Sequence, residues 1–240
     1  MVEKYKDTIK RIRPIAQSFI IQNNLEYPIQ NSMQVLSEMG YFIIKAKAPD
    51  NLSGFYMKKD RFPFIFVNSK HSLGRQNFSL WHEVYHNYMK HQNGISDFAS
   101  NTLEEREAEI FAGFVLLPDE EIKKWASTYD LKDPNTIACM SEYYQMSFNA
   151  VLVRLMQIGE VTYDIYNVLK QLSDIENRKE LLTIYKNNNL SISVLNSTND
   201  TSISANIMEI LQRNYQNNLI DAEKINEIID KIEVLDNDFS

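Results

Sequence analysis

Residues 160–240 contain no proline, no glycine and no histidine. All six prolines lie at or before Pro134, and all six glycines at or before Gly159. These two residue types are the strongest local breakers of regular structure, so their absence predicts a mostly helical last third. That third then has different work to do from the first two-thirds. The histidines are just as uneven. All four, His71, His82, His86 and His91, fall within 21 residues. Core packing gives histidine no reason to cluster, which makes this window the lead to function.

The hydrophobic period changes along the chain. Ile9, Ile12, Ile15, Ala16, Phe19 and Ile20 recur at helical spacing and predict a first helix over 3–23, with Pro14 as a kink or break. A short helix over 29–39 ends at Gly40, a C-cap residue. The runs 41–47, 54–59 and 63–68 are β-branched and aromatic, and turn residues separate them. They predict three strands of a small antiparallel sheet. Helical patterns resume near residue 74. They continue over 102–117, 118–127, 135–144, 147–158, 161–173, 175–187, 205–217 and 221–235. The polar segments 92–101 and 187–204 read as loops. The expected fold class is α+β and predominantly helical, with a small sheet and an all-helical C-terminal region.

Several function classes fall away on counts alone. The single Cys139 excludes an intramolecular disulfide and any cysteine-rich zinc module, and is compatible with a reducing cytosol. The charged N-terminus MVEKYKDTIKRIR lacks the apolar stretch of a signal peptide, and no run is apolar enough to span a membrane. A cytoplasmic protein without membrane contact is expected. Neither glycine-rich nucleotide-binding motif is present, which argues against a nucleotide-dependent enzyme. A net charge of -7 argues against general nucleic-acid affinity.

Residues 82–86 read His82-Glu83-Val84-Tyr85-His86, an H-E-x-x-H. On a helix, positions i and i+4 share a face, so the two imidazoles can converge on one metal ion. Zinc accepts such nitrogens, and a catalytic site keeps one position open for water. Glu83 projects beside the pair as the candidate general base. The segment FSLWHEVYHNYM (78–89) gives this helix an apolar surface to pack. A third protein ligand is needed, and the acidic run Leu103-Glu104-Glu105-Arg106-Glu107-Ala108-Glu109 can provide a carboxylate. Glu105 and Glu109 stand four apart. One can bind metal while the other accepts a hydrogen bond from a ligand histidine; spacing alone does not choose between them. His91, five residues past His86, falls about 140° round a continued helix and reads as a non-ligand. His71 and nearby tyrosines are candidates for stabilising an oxyanion by proximity only. The run PFIFVN (63–68) can serve as a cleft-edge strand that pairs with substrate backbone, or as an ordinary core strand.

RQNFSLWHEVYH (75–86) followed by EREAEIFAGFVLLP (105–118) resembles the ImmA/IrrE family of metallo-endopeptidases. That family's blocks are R-Q-x-F-[ST]-x-x-H-E-x-x-H and E-x-x-A-[ND]-x-F-A-x-x-L-x-P. The segment ending VRLMQIGEV (153–161) is similar to the stretch after the family's core, so the resemblance covers roughly residues 30–160. It implies a zincin-like core in which His82, His86 and Glu105 hold Zn2+ and Glu83 is the catalytic base. Tyr85 stands where glycine is usual and is expected to narrow the site. Glu109 stands where asparagine or aspartate is usual, in a position to act beside the ligands. The expected organisation is a metallopeptidase core with N-terminal helices over 1–130, a helical pair packed on it over 131–160, and a helical C-terminal region over 161–240, outside the resemblance, as a candidate partner-binding region.

The resemblance also implies regulatory proteolysis, with a helix-turn-helix repressor of a mobile element, prophage or stress regulon as substrate. The alternative is a metal-containing antirepressor that sequesters the repressor without cutting it. Residues 135–160 could themselves be taken for a helix-turn-helix. Their only charges, Glu142, Arg154 and Glu160, lack the basic footprint of a DNA reader, so no direct nucleic-acid binding is expected. Residues 221–238 carry seven acids against two lysines, and Ile225, Ile228, Ile229, Ile232 and Leu235 form an apolar stripe. This is either a packed amphipathic helix with a solvated face or a docking surface for a basic partner.

Overall fold

Helix α1 (Tyr5–Gln22) turns Thr8, Ile12, Ala16 and Phe19 inward and continues through Pro14 without ending. In this computed structural model, residues 3–59, 62–91, 94–96, 102–204 and 206–238 are described. Helix α2 (Ser32–Glu38) starts where the Asn31 side chain accepts from the Gln34 amide at 3.0 Å. It stops at Gly40, whose φ of +91° lets Tyr41 N–H return to the Leu36 carbonyl. An αL glycine just past a helix end satisfies carbonyls that would otherwise be left open.

Strands β1 (Phe42–Ala46), β2 (Gly54–Lys59) and β3 (Phe62–Asn68) follow, then helix α3 (Leu73–Tyr88) and strand β4 (Gly94–Ser96). Beyond them come α4 (Leu103–Leu116), α5 (Asp119–Ala126), α6 (Pro134–Tyr143), α7 (Phe148–Ile158), α8 (Tyr163–Leu169) and α9 (Arg178–Asn187). Strand β5 (Ser202–Ile203) and helices α10 (Asn206–Gln216) and α11 (Ala222–Asp238) come last. The fold is thus α+β and predominantly helical, as the sequence pattern predicts.

The sheet differs from expectation in one respect. Its order is β4-β2-β3-β1-β5, and β1 pairs with β3 in parallel, so the sheet is mixed rather than antiparallel. The β2–β3 hairpin inserts β3 next to β1, and the link between β1 and β2 must cross the end of β3. Asn68, at that end, holds the crossing. Its Nδ2 donates to the carbonyls of Ala48, Pro49 and Leu52 at 3.2, 3.0 and 2.7 Å, and its Oδ1 accepts from Ala48 N–H at 3.0 Å. Alternation shows which residues face each side of a strand, but not the order in which strands pair.

Two short strands lie in segments expected to be loops. Residues 94–96 pair with β2, and Ser202–Ile203 with β1; residues 92, 93 and 97–101 lie outside the described set. PFIFVN forms most of β3 and sits between β2 and β1, so of its two readings the ordinary core strand holds and the cleft-edge strand does not. Both its neighbours are occupied.

One face of the sheet packs on α3, which also meets α1 and α4. Phe19 of α1 lies edge-on to Trp81, Tyr88 and Phe111 at ring-centroid distances of 6.2, 5.2 and 5.2 Å. Burying each such ring is worth roughly 1.5–3 kcal/mol. The buried core runs without a break from Ile12 to Leu195. The pair α6–α7 packs into it through Ile137, Met140, Val151 and Leu155. No described helix is long and apolar enough to cross a membrane. On α11, Ile225, Ile228 and Ile229 are half-buried, while the side chains of Ile232 and Leu235 lie outside the described residues.

Candidate metal centre

Helix α3 is fixed at its N-terminal end by Gln76, whose Nε2 donates to the carbonyls of His71 and Ser69. In its middle, Trp81 Nε1 donates to Ser32 Oγ at 3.0 Å. With the helix held, His82 and His86 fall one turn apart and face the same way. Their Nε2 atoms are 3.2 Å apart. The first turn of α4 is capped by Thr102 and points Glu105 at both rings. Its Oε2 lies 2.9 Å from His82 Nε2, and its Oε1 3.6 Å from His86 Nε2.

The donor set fits a metal ion. One ligand atom from each of the three residues lies within 4.8 Å of the others. Tetrahedral coordination at ~2.0–2.1 Å places neighbouring donor atoms about 3.3 Å apart. The 2.9–3.6 Å separations bracket that value.

The electrostatics agree with a site built for a cation. Burial works against protonation of His82, but its hydrogen bond to Glu105 and the charges of Glu83, Glu105 and Glu109 outweigh burial and raise its pKa. His86 is pushed down to about 4 by burial and by its His82 neighbour. Burial alone would raise Glu105, yet His82 and His86 hold it below its usual value. Two imidazoles and a carboxylate therefore face each other, and the His86 ring is neutral at neutral pH, with a lone pair free for a cation.

Glu83 is fully buried and lies against β2. A Cβ on Gly54 would sit 2.8 Å from the Phe66 carbonyl and 3.5 Å from Glu83 Oε1, so only glycine lets the strand approach this closely. Glu109, one turn past Glu105, adds negative charge near His82. Its own carboxyl is raised by burial. It acts at a distance, while Glu105 makes the contact.

Tyr85 does not narrow the centre from its open side. It is fully buried, and its hydroxyl donates to Glu107 Oε2 at 2.6 Å. Glu107 also pairs with Arg11 of α1. The tyrosine that replaces the usual glycine thus fills the packing between α3, α4 and α1. His91 stays outside the ligand set, as expected, but not for the helical reason given. Helix α3 ends at Tyr88, Lys90 turns the chain with φ +59°, and His91 Nδ1 comes to 3.0 Å from His86 Nδ1. Only a helix continued past Tyr88 would hold the two rings apart, and the turn carries no glycine to signal that the helix ends. The oxyanion candidates are engaged elsewhere. His71 Nε2 donates to the Asp50 carbonyl, and Tyr56 hydroxyl donates to Asn87.

Fold and cluster together define a peptidase-type metal centre on a helical α+β scaffold. The sequence profile of the Peptidase M78 family, described as the IrrE N-terminal-like domain, matches residues 36–156, a little over half of the chain. The chain belongs to this family of metallopeptidases. The match begins in α2 and ends in α7, and it contains every residue of the cluster. No curated protein gives a significant match.

Proposed function

We propose that this chain is a zinc endopeptidase that cleaves one specific regulatory protein, a helix-turn-helix repressor of a mobile element, prophage or stress regulon, and so relieves repression. The observation that carries the chemical part is the convergence of His82, His86 and Glu105 beside a fully buried Glu83. The repressor as substrate rests on the family resemblance, and analogy in function is weaker than analogy in fold. A cytoplasmic setting follows from the lone cysteine and from a repressor as target.

His82, His86 and Glu105 would hold the ion. When bound, zinc supplies Lewis acidity toward a water and a peptide carbonyl. Glu83 accepts the proton from that water and returns it to the departing amide nitrogen. Its burial against Gly54 fixes the carboxylate and keeps bulk water from competing. Glu109 adds negative charge on the same face of α4 and strengthens the pull on the cation.

The test is incubation of zinc-loaded protein with a repressor encoded beside it, comparing wild type with Glu83→Gln. Discrete fragments from wild type alone are the expected result. A persistent complex without fragments in either sample would replace cleavage by sequestration.

A further inference from the structure

Tyr85 bridges the two helices that carry the metal-binding residues. It immediately precedes His86 on α3, and its hydroxyl donates to Glu107 Oε2 on α4 at 2.6 Å. Glu107 stands two residues past Glu105. At a rise of about 1.5 Å per residue, the contact falls within about 3 Å of a ligand position along either helix axis. Both side chains are buried. Glu107 Oε1 is held from the other side by Arg11 of α1, which pairs in turn with Glu3 at 2.8 Å.

Glu105 needs such support. It sits in the first turn of α4, where a helix lacks part of its own hydrogen bonding and frays most readily. Three contacts tether this turn. Thr102 Oγ1 accepts from Glu105 N–H at 3.2 Å, Arg106 Nη1 donates to the Glu3 carbonyl at 3.1 Å, and Glu107 takes the Tyr85 hydroxyl. The first is local, and the second reaches the segment before α1. The third reaches α3, where His82 and His86 stand. The Glu105 carboxylate spans 2.9 Å to one imidazole and 3.6 Å to the other, which leaves α4 little room to drift.

The Tyr85 ring acts on the histidine side. Its centroid lies 6.1 Å from that of His86 and 5.7 Å from that of His91, with the planes 71° and 76° apart. It thus backs both members of the His86–His91 contact. The glycine usual at this position would supply neither the hydroxyl nor the wall.

We infer that Tyr85 is a positioning residue of the metal centre: its hydroxyl, held by Glu107, sets the spacing of α3 and α4 at which Glu105 meets both imidazoles, and its ring backs His86 and His91. This rests on the centre of His82, His86 and Glu105, and not on peptide cleavage. A buried carboxylate oxygen that loses its donor is left unsatisfied and must rearrange. The rearrangement falls on the α4 turn that carries Glu105.

The test compares metal binding by full-length variants. Zinc affinity is read by competition with a chelating dye, and Co2+ in place of zinc reports ligand geometry through its visible absorption bands. Urea midpoints of the metal-free proteins record stability separately. Tyr85→Phe keeps the ring and removes the hydroxyl. It should bind zinc about tenfold more weakly than wild type and shift the cobalt bands. Glu107→Gln, whose amide oxygen can accept the same hydrogen bond, should stay near wild type in both. Glu107→Leu, which cannot accept it, should match Tyr85→Phe. The double variant, Tyr85→Phe with Glu107→Leu, should be no weaker than either single one, because all three lose one shared contact. Wild-type zinc affinity and cobalt bands in Tyr85→Phe overturn the inference whatever its urea midpoint, since the hydroxyl then only stabilises the fold. Additive losses in the double variant overturn it as well. Should Tyr85→Phe fail to fold, Arg11→Gln decides from the exposed end of the chain of contacts. Weaker zinc binding there supports the positioning role, and unchanged binding overturns it. A wild-type protein that takes up no zinc sinks the metal centre itself, and the role of Tyr85 with it.

Discussion

The Nδ1 atoms of His86 and His91 lie 3.0 Å apart. Since His86 Nε2 faces the cluster, its Nδ1–H is the donor and His91 Nδ1 the acceptor. Such a contact fixes the tautomer and the ring plane of a ligand histidine. His91→Ala should lower zinc affinity about tenfold in competition with a chelating dye. His91→Gln, whose amide oxygen can accept the same bond, should retain most of it. Undiminished affinity in the alanine variant would reduce His91 to a bystander.

Glu105 and Glu109 separate in the structure although they share a helix face. Glu105 reaches both imidazoles, and Glu109 acts only through its charge. Glu105→Gln should therefore lose stoichiometric zinc, while Glu109→Gln should keep it with a weaker affinity. Metal content by elemental analysis after gel filtration decides this. Full zinc occupancy in Glu105→Gln would remove it from the ligand set.

The cluster is legible in the sequence because its geometry is local. His82, Glu83 and His86 share one helix, and helical periodicity alone brings the rings together. Glu105 needs the family's pattern to be chosen over Glu109, since both spacings fit. His91 escapes because the break after Tyr88 has no glycine or proline to announce it. The parallel β1–β3 pair escapes for a related reason: the crossing depends on one buried side chain, Asn68, and the strands' own alternation is blind to it.

The ion pair between Arg154 and Asp119 ties α7 to the start of α5. Burial pulls the Arg154 pKa down to about 10 despite Asp119, so the charge is kept by its partners. Arg154 Nε also donates to the Leu117 carbonyl, and Arg13 pairs with the second Asp119 oxygen at 3.2 Å. Removing one member of a buried pair leaves the other uncompensated, at a cost of about 3–5 kcal/mol. Asp119→Ala should destabilise the protein by that order in urea unfolding. Replacing both partners with apolar residues, as in Arg154→Met with Asp119→Leu, should recover much of the loss. A single variant within about 1 kcal/mol of wild type would show that the pair is not a stabilising tie.

His71 gives the fold a pH dependence that can be isolated from the metal centre. It is buried, Nε2 donates to the Asp50 carbonyl at 3.0 Å, and Nδ1 is buried without a partner. Burial lowers its pKa, helped by the charge of Arg75 and opposed by the Asp50 carbonyl. A histidine whose folded pKa lies below its unfolded value of ~6.5 binds more protons when unfolded. Its neutral form is therefore fully compatible with folding above about pH 6.5. As pH falls below that, the unfolded state gains protons first and stability drops until the folded pKa is passed. The other histidines titrate too, so the signal is a difference: wild type should lose more stability between about pH 7 and pH 5 than His71→Gln, with urea midpoints measured on metal-free protein. Parallel curves for the two proteins would mean that His71 is protonated as readily in the fold as out of it.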